Sequence, residues 1–325
     1  MRELKNRLEM LEEAVAHLSK RTGSGARLAL LLLDNLAEVL MYDRARLLFA
    51  QDGRSEGVIP RRYPESVRKK VLRNFPDKVE FCVRNTHDLA EDQGKILTSG
   101  HTLRNEAYHK GIVREAIIQQ VARAYLEVVC GMLSRLAGAV IMIPWGENVG
   151  EYFKRYGVEA SMTELPKALE RVGQKFRESC PNLPEELARS LSVDLVGRIE
   201  QLLCGLETLT DASHERVAAE EILKELQFNP AFHEKHTFPR TDEGFRMFVE
   251  TRKREYALYT PPVSLATVDE WNRRAIQIRE ITAPGEALAR YLRLEDEMAE
   301  LEEAVGEAVY EFDEWVNMQV HDRGL

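Results

Sequence analysis

Apolar residues recur at steps of three and four through most of this chain, which predicts helices from end to end. Leu4, Leu8, Leu11, Val15 and Leu18 make residues 2–20 an amphipathic helix, and Thr22, Gly23, Ser24 and Gly25 break it. A second helix is expected over 26–49. Leu28, Leu31, Leu32, Asn35, Leu36, Val39 and Leu40 fall on one broad face, which turns Asn35 toward the core and leaves Asp34 at its edge. A buried polar side chain needs a partner, so Asp34 and Asn35 are candidates to support a site.

After a loop over 51–63, helices are expected at 64–73, 77–83 and 88–98, followed by a turn at 99–102. Thr102 can cap a long helix that starts near Arg104 and continues through Ile112, Ile117, Val121, Tyr125, Val128 and Met132 to Leu136. Pro144, Trp145 and Gly146 end it. Further helices are expected over 163–178, 184–207, 211–228, 242–259, 267–281 and 285–320, with Pro230 and Pro261-Pro262 as punctuation. In the last helix Tyr291, Leu294, Met298, Leu301, Val305, Ala308 and Phe312 form a heptad-like seam. No stretch alternates as a strand does. The expected fold is all-α: a helical bundle over residues 1–145 and an additional, acidic helical domain over 146–325.

Composition adds compartment and charge. With 44% hydrophobic and 30% charged residues, the 325-residue chain has the make-up of a soluble globular protein. Its four cysteines (Cys82, Cys130, Cys180 and Cys204) lie far apart, which suggests neither a metal framework nor a disulfide scaffold and suits a reducing compartment. The apolar runs 28–33 and 136–144 are too short to span a bilayer, so a cytoplasmic protein with no membrane partner is expected. Residues 1–150 carry 23 Lys+Arg against 19 Asp+Glu, and residues 151–325 carry 22 against 35, so a net +4 half is joined to a net −13 half. The most basic window, 61–78, holds Arg61, Arg62, Arg68, Lys69, Lys70, Arg73 and Lys78. It could follow RNA phosphates, with Tyr63 and Phe75 available to stack on bases.

Candidate chemistry concentrates at 103–111, where Arg104, Asn105 and His109 stand close together in sequence. Asn105 and His109 are four apart and share a helix face. Arg104 and His109 are five apart, which turns them about 140° away from each other on a regular helix. They can converge only if Arg104 sits at a frayed helix start, or if a second copy of the motif faces the first. Cleaving RNA without a metal requires deprotonating a ribose 2′-hydroxyl, stabilising charge on phosphorus and protonating the leaving 5′-oxygen. Imidazoles suit the proton transfers and a guanidinium suits the phosphate. One imidazole does not readily serve as both base and acid, and a two-fold dimer would bring a second.

Leu103-Arg104-Asn105, then His109, Lys110 and Gly111, before an apolar helix and after the upstream Asp34-Asn35 helix, resemble the R-x4-6-H signature of the HEPN superfamily over residues 1–145. The resemblance implies a homodimer with a shared cleft and metal-independent endoribonuclease activity of the toxin or antiviral-defence kind. Arg104 and His109 would be the catalytic pair and Asn105 the polar residue beside them; no cofactor is implied. Lys110, next to His109, is a further candidate RNA contact by its charge. Two positions depart from the pattern. Lys110 stands where the family often has Gly, and Gly111 occupies the place of a Tyr that partner enzymes modify in some members, with Tyr108 before the His instead. The alternative reading is a non-catalytic binding or scaffold protein, antitoxin-like, that holds a protein partner through its acidic half. His233 and His236, three apart, form a weaker metal-like pair with no third ligand nearby in sequence.

Overall fold

The computed structural model describes residues 2–53, 62–109, 114–136, 153–157, 165–212 and 217–322, and the regular elements among them are all helices. In chain order these are α1 (Arg2–Ser19), α2 (Gly23–Gly53), α3 (Glu65–Arg73), α4 (Phe75–Arg84), α5 (Glu91–His109), α6 (Glu115–Leu136), α7 (Leu165–Ser179), α8 (Pro184–Ala212), α9 (Ala219–Lys235), α10 (Asp242–Leu258), α11 (Leu265–Ile278) and α12 (Pro284–Asp322). They form two compact units. One comprises residues 1–191 with 279–290, the other 192–278 with 291–325. This differs from the division expected at residue 145, because α7 packs on α6 and α1 and so belongs with the first unit.

The first unit is built around α2 and α6, with α1, α5 and α4 packed on α2. The face that α2 buries is rotated from the expected one. Leu36 and Leu40 of the expected face are buried, but so are Ala26, Ala29, Leu30, Leu33, Ala37 and Met41, while Leu28 is 41% exposed. On a helix apolar nearly all round, the alanines mark where neighbours approach most closely. The rotation reverses the expected pair: Asp34 is wholly buried and Asn35 is exposed, its amide reaching the Met10 sulfur. α6 is long and apolar enough to cross a membrane by length and composition, but 67% of that stretch is buried within the protein, as the core helix of a bundle is.

Two expected breaks are absent. Residues 99–102 are helical, so 91–109 is one helix and the next begins at Glu115. Pro230 lies inside α9 rather than ending it. The chain does break between α1 and α2, but at residues 20–22 rather than over 22–25, since Gly23, Ser24 and Gly25 already belong to α2. Arg21 takes a positive φ of 53°, and the Thr22 hydroxyl accepts from the Gly25 N–H to cap α2.

In the second unit the Arg198 guanidinium of α8 is held by Glu295 at 3.0 Å and Glu302 at 2.5 Å, both on α12. Arg274 of α11 makes a two-pronged pair with Glu297 at 2.6 and 2.9 Å. Gly205 lets α8 approach Val305, whose methyl would lie 2.6 Å from any added Cβ. Aromatic rings of α9 and α10, Phe228, Phe232, Phe248 and Tyr256, pack edge to face.

Candidate functional site

Asp34 is the polar centre of the first unit. It lies in the apolar interior of α2, and three neighbouring groups offset the cost of burying its charge. The Tyr125 hydroxyl of α6 donates to Oδ1 at 2.7 Å, the His101 Nδ1 of α5 sits 3.0 and 3.1 Å from the two carboxylate oxygens, and Arg104 Nε lies 3.5 Å from Oδ2. Tyr125 is fully buried. Burial and the adjacent carboxylate hold its hydroxyl well above the usual phenol range, so it stays a donor. Gly100 makes room for it, because a Cβ there would meet the Tyr125 ring at 2.6 Å. The ring of Phe75, at the start of α4, stacks on His101 at 4.1 Å with an interplanar angle of 7°.

His101, Arg104 and Asn105 are spaced i, i+3, i+4 and therefore form one stripe on α5. Arg104 donates from Nη1 to Asn105 Oδ1 at 2.6 Å, and about a quarter of its side chain reaches solvent. With Nδ1 turned to the buried carboxylate, the other ring nitrogen of His101 points away from Asp34, and the side chain is 24% exposed. Sequence reasoning missed His101, although its place three residues before Arg104 was a legible signal.

The R-x4-H motif sits at the end of α5, not at the head of the next helix. His109 is the last residue of α5 and is exposed. Arg104 and His109 both lie within regular helix, and they diverge by about 140° in one chain. A frayed start therefore does not bring them together within one chain. Lys110 and Gly111 lie outside the described residues.

The basic window divides by role. Arg61 lies outside the described residues. Arg68 is structural: it donates to the Tyr63 carbonyl at 2.8 Å, the Phe49 carbonyl at 3.0 Å and Asp52 Oδ2 at 2.6 Å, tying α3 to the end of α2. Asp52 in turn accepts from the backbone N–H groups of Arg62 and Tyr63, and these bonds, with Arg68, hold its carboxyl below the usual range. Lys78 is buried against Glu38 at 2.9 Å. Tyr63 and Phe75 are not free to stack on bases. Tyr63 belongs to a buried cluster with Phe49 and Phe81, and Phe75 covers His101. Arg62, Lys69, Lys70 and Arg73 are left exposed, with Lys70 paired to Asp77 at 2.8 Å. Arg73 is two residues from Phe75, at most about 7 Å along the chain, so the basic end of α3 adjoins the stacked His101.

No family model, curated protein or solved structure matches this chain. The site therefore rests on its own geometry: a guanidinium bonded to Asn105 and 3.5 Å from a buried acid, an imidazole held by the same acid, and an exposed imidazole at the end of the same helix. Of the weaker metal-like pair, His236 is occupied by Glu255 at 3.1 Å and packs on Phe232, while His233 is exposed.

Proposed function

We propose that this chain is a metal-independent endoribonuclease that works as a symmetric pair, with Arg104 holding the scissile phosphate and His109 of a second copy moving a proton. The observation that carries the reading is Arg104 itself, oriented by Asp34 and Asn105 and still partly open to solvent. A pre-set guanidinium stabilises charge developing on a phosphorane without reorganising at the moment of reaction. His101, beside Arg104 on the same stripe, provides the second imidazole the chemistry needs. One ring accepts the 2′-hydroxyl proton as that oxygen bonds to phosphorus, the other protonates the departing 5′-oxygen, and the product ends in a 2′,3′-cyclic phosphate. Lys69, Lys70 and Arg73 would guide the RNA strand by its phosphates.

The test is purified protein with RNA in chelator. Cleavage leaving cyclic phosphate ends, abolished in Arg104→Ala and in His109→Ala while both variants keep wild-type helicity, supports the reading. Cutting that is unaltered in both variants, or that appears only when metal is added, refutes it.

One observation favours the second reading, a non-catalytic helical binding protein. The Arg104 charge already has an acid partner in Asp34, which is sufficient as a purely structural arrangement. A folded protein inert on several classes of RNA would select that reading.

A further inference from the structure

A groove of about 690 Å³ lies within the second unit between α9, the 259–263 segment and α12. Its floor is apolar, with Leu226, Tyr259, Pro262, Leu301 and Ala304. Its walls carry Glu234, Glu297, Glu300, Glu303 and Glu307, and no Lys or Arg lines it among the described residues. Some acids of α12 already serve the fold: Glu295 and Glu302 hold Arg198, and Glu297 holds Arg274. Glu234, Glu300, Glu303 and Glu307 are exposed, and no ion pair engages them among the described residues.

The pattern extends beyond the groove. Residues 294–322 contain eleven Asp and Glu and no Lys or Arg. Glu300, Glu303, Glu307, Glu311 and Glu314 recur at steps of three and four, so they form one acidic stripe along α12. Beside that stripe, Leu301, Ala308 and Trp315 fall in line at seven-residue spacing, and Trp315 is 50% exposed. From Glu300 to Trp315 the stripe runs about 22 Å, a length suited to a helix rather than a compact metabolite.

We infer that this groove and stripe bind an amphipathic helix of another protein, one that presents apolar residues to Leu301, Ala304 and Trp315 and Lys or Arg to the acidic stripe. Charge complementarity selects the occupant. Like-charged glutamates at these spacings repel one another, and a cationic helix relieves that repulsion while covering the apolar groove floor and the exposed Trp315 ring. Pairing α12 with α12 of a second copy would instead set two uninterrupted acidic stripes together. The inference does not depend on the ribonuclease reading.

The test uses the full chain and a fluorescein-labelled synthetic peptide of about 18 residues, with Leu at heptad core positions and Lys flanking them, followed by anisotropy. Binding is expected to weaken with added salt, to fall at least tenfold in the triple variant Glu300→Gln, Glu303→Gln, Glu307→Gln, and to fall in Ala304→Arg. It should survive in the charge-matched variant Glu13→Gln, Glu170→Gln, Glu185→Gln. Circular dichroism confirms that each variant is folded. Equal binding by the groove triple variant, equal loss in the charge-matched control, or equal binding of a Leu/Glu peptide would overturn the proposal. So would sedimentation showing a dimer that the groove triple variant dissociates, because the occupant would then be a second copy.

Discussion

Replacing Asp34 with Ala removes the one acceptor on which three buried or half-buried donors converge. Tyr125 loses the partner of a fully buried hydroxyl, which costs about 1–3 kcal/mol. Arg104 loses its countercharge; fully buried pairs cost about 3–5 kcal/mol to break, and one quarter of solvent access reduces that. His101 loses its Nδ1 partner but keeps the Phe75 stack. The substitution also leaves a small cavity. Together these place the loss at about 3–5 kcal/mol, a large share of the 5–15 kcal/mol typical of a domain. Tyr125→Phe removes only one donor and leaves Asp34 with two partners, so it should cost about 1 kcal/mol. Adding Tyr125→Phe to Asp34→Ala should cost less than the sum of the two, because the second change removes a hydroxyl that the first has already orphaned. Urea unfolding followed by circular dichroism, with hydrogen exchange of α5 and α6 to localise the effect, measures all three. An Asp34→Ala loss below about 1 kcal/mol, or strict additivity with Tyr125→Phe, would refute the idea that this carboxylate organises the interior.

Other consequences are equally direct. Cys82, Cys130 and Cys180 are buried and Cys204 is exposed, so a thiol reagent should titrate one group in the native protein and four after denaturation. Burial pushes the Cys82 and Cys130 thiols up to about 12 and the Tyr125 phenol well above its usual value, while in the unfolded chain they ionise near 9 and 10. The unfolded state therefore releases protons first, and urea midpoints should fall as pH rises above about 9. At the other extreme, Lys95 and Arg290 hold the Glu286 carboxyl down to about 2 from a reference of 4.5, so its contribution is present above 4.5 and lost as pH falls toward 2. Lys95→Ala should flatten that acid limb. Gly285→Ala would place a Cβ 2.2 Å from the Asp92 carbonyl oxygen and should lower the melting temperature even though alanine is the better helix former. Arg68→Ala should lower it more than Lys69→Ala does, because only Arg68 ties α3 to the end of α2.

Which parts were legible in the sequence follows from which forces are local. The all-helical class and the course of α12 come from periodicity, which acts within a few residues. The face of α2 was legible only in part: Leu36 and Leu40 are buried as expected, but leucines lie all round the helix, and the tertiary contacts with α6 and α1 choose among the rest. The 99–102 stretch looked like a turn, yet Gly100 is there to admit the Tyr125 ring, a requirement set by a residue twenty-five positions away. Asp34 was singled out correctly as a polar group in need of a partner, but its partners, His101 and Tyr125, meet it only once α2, α5 and α6 assemble. Arg68 and Lys78 looked like free cations for the same reason: Asp52 and Glu38, which hold them, are sixteen and forty residues away.

The central claim is that Arg104 and His109, which face apart on α5, complete one site only between two chains. Mixing Arg104→Ala protein with His109→Ala protein, each inactive alone, tests it directly. Half of the re-formed dimers would be mixed and each would carry one intact site of two, so about a quarter of wild-type RNA cleavage should return. A mixture as inactive as its components, alongside a wild-type protein that cuts RNA, would contradict a site shared between copies.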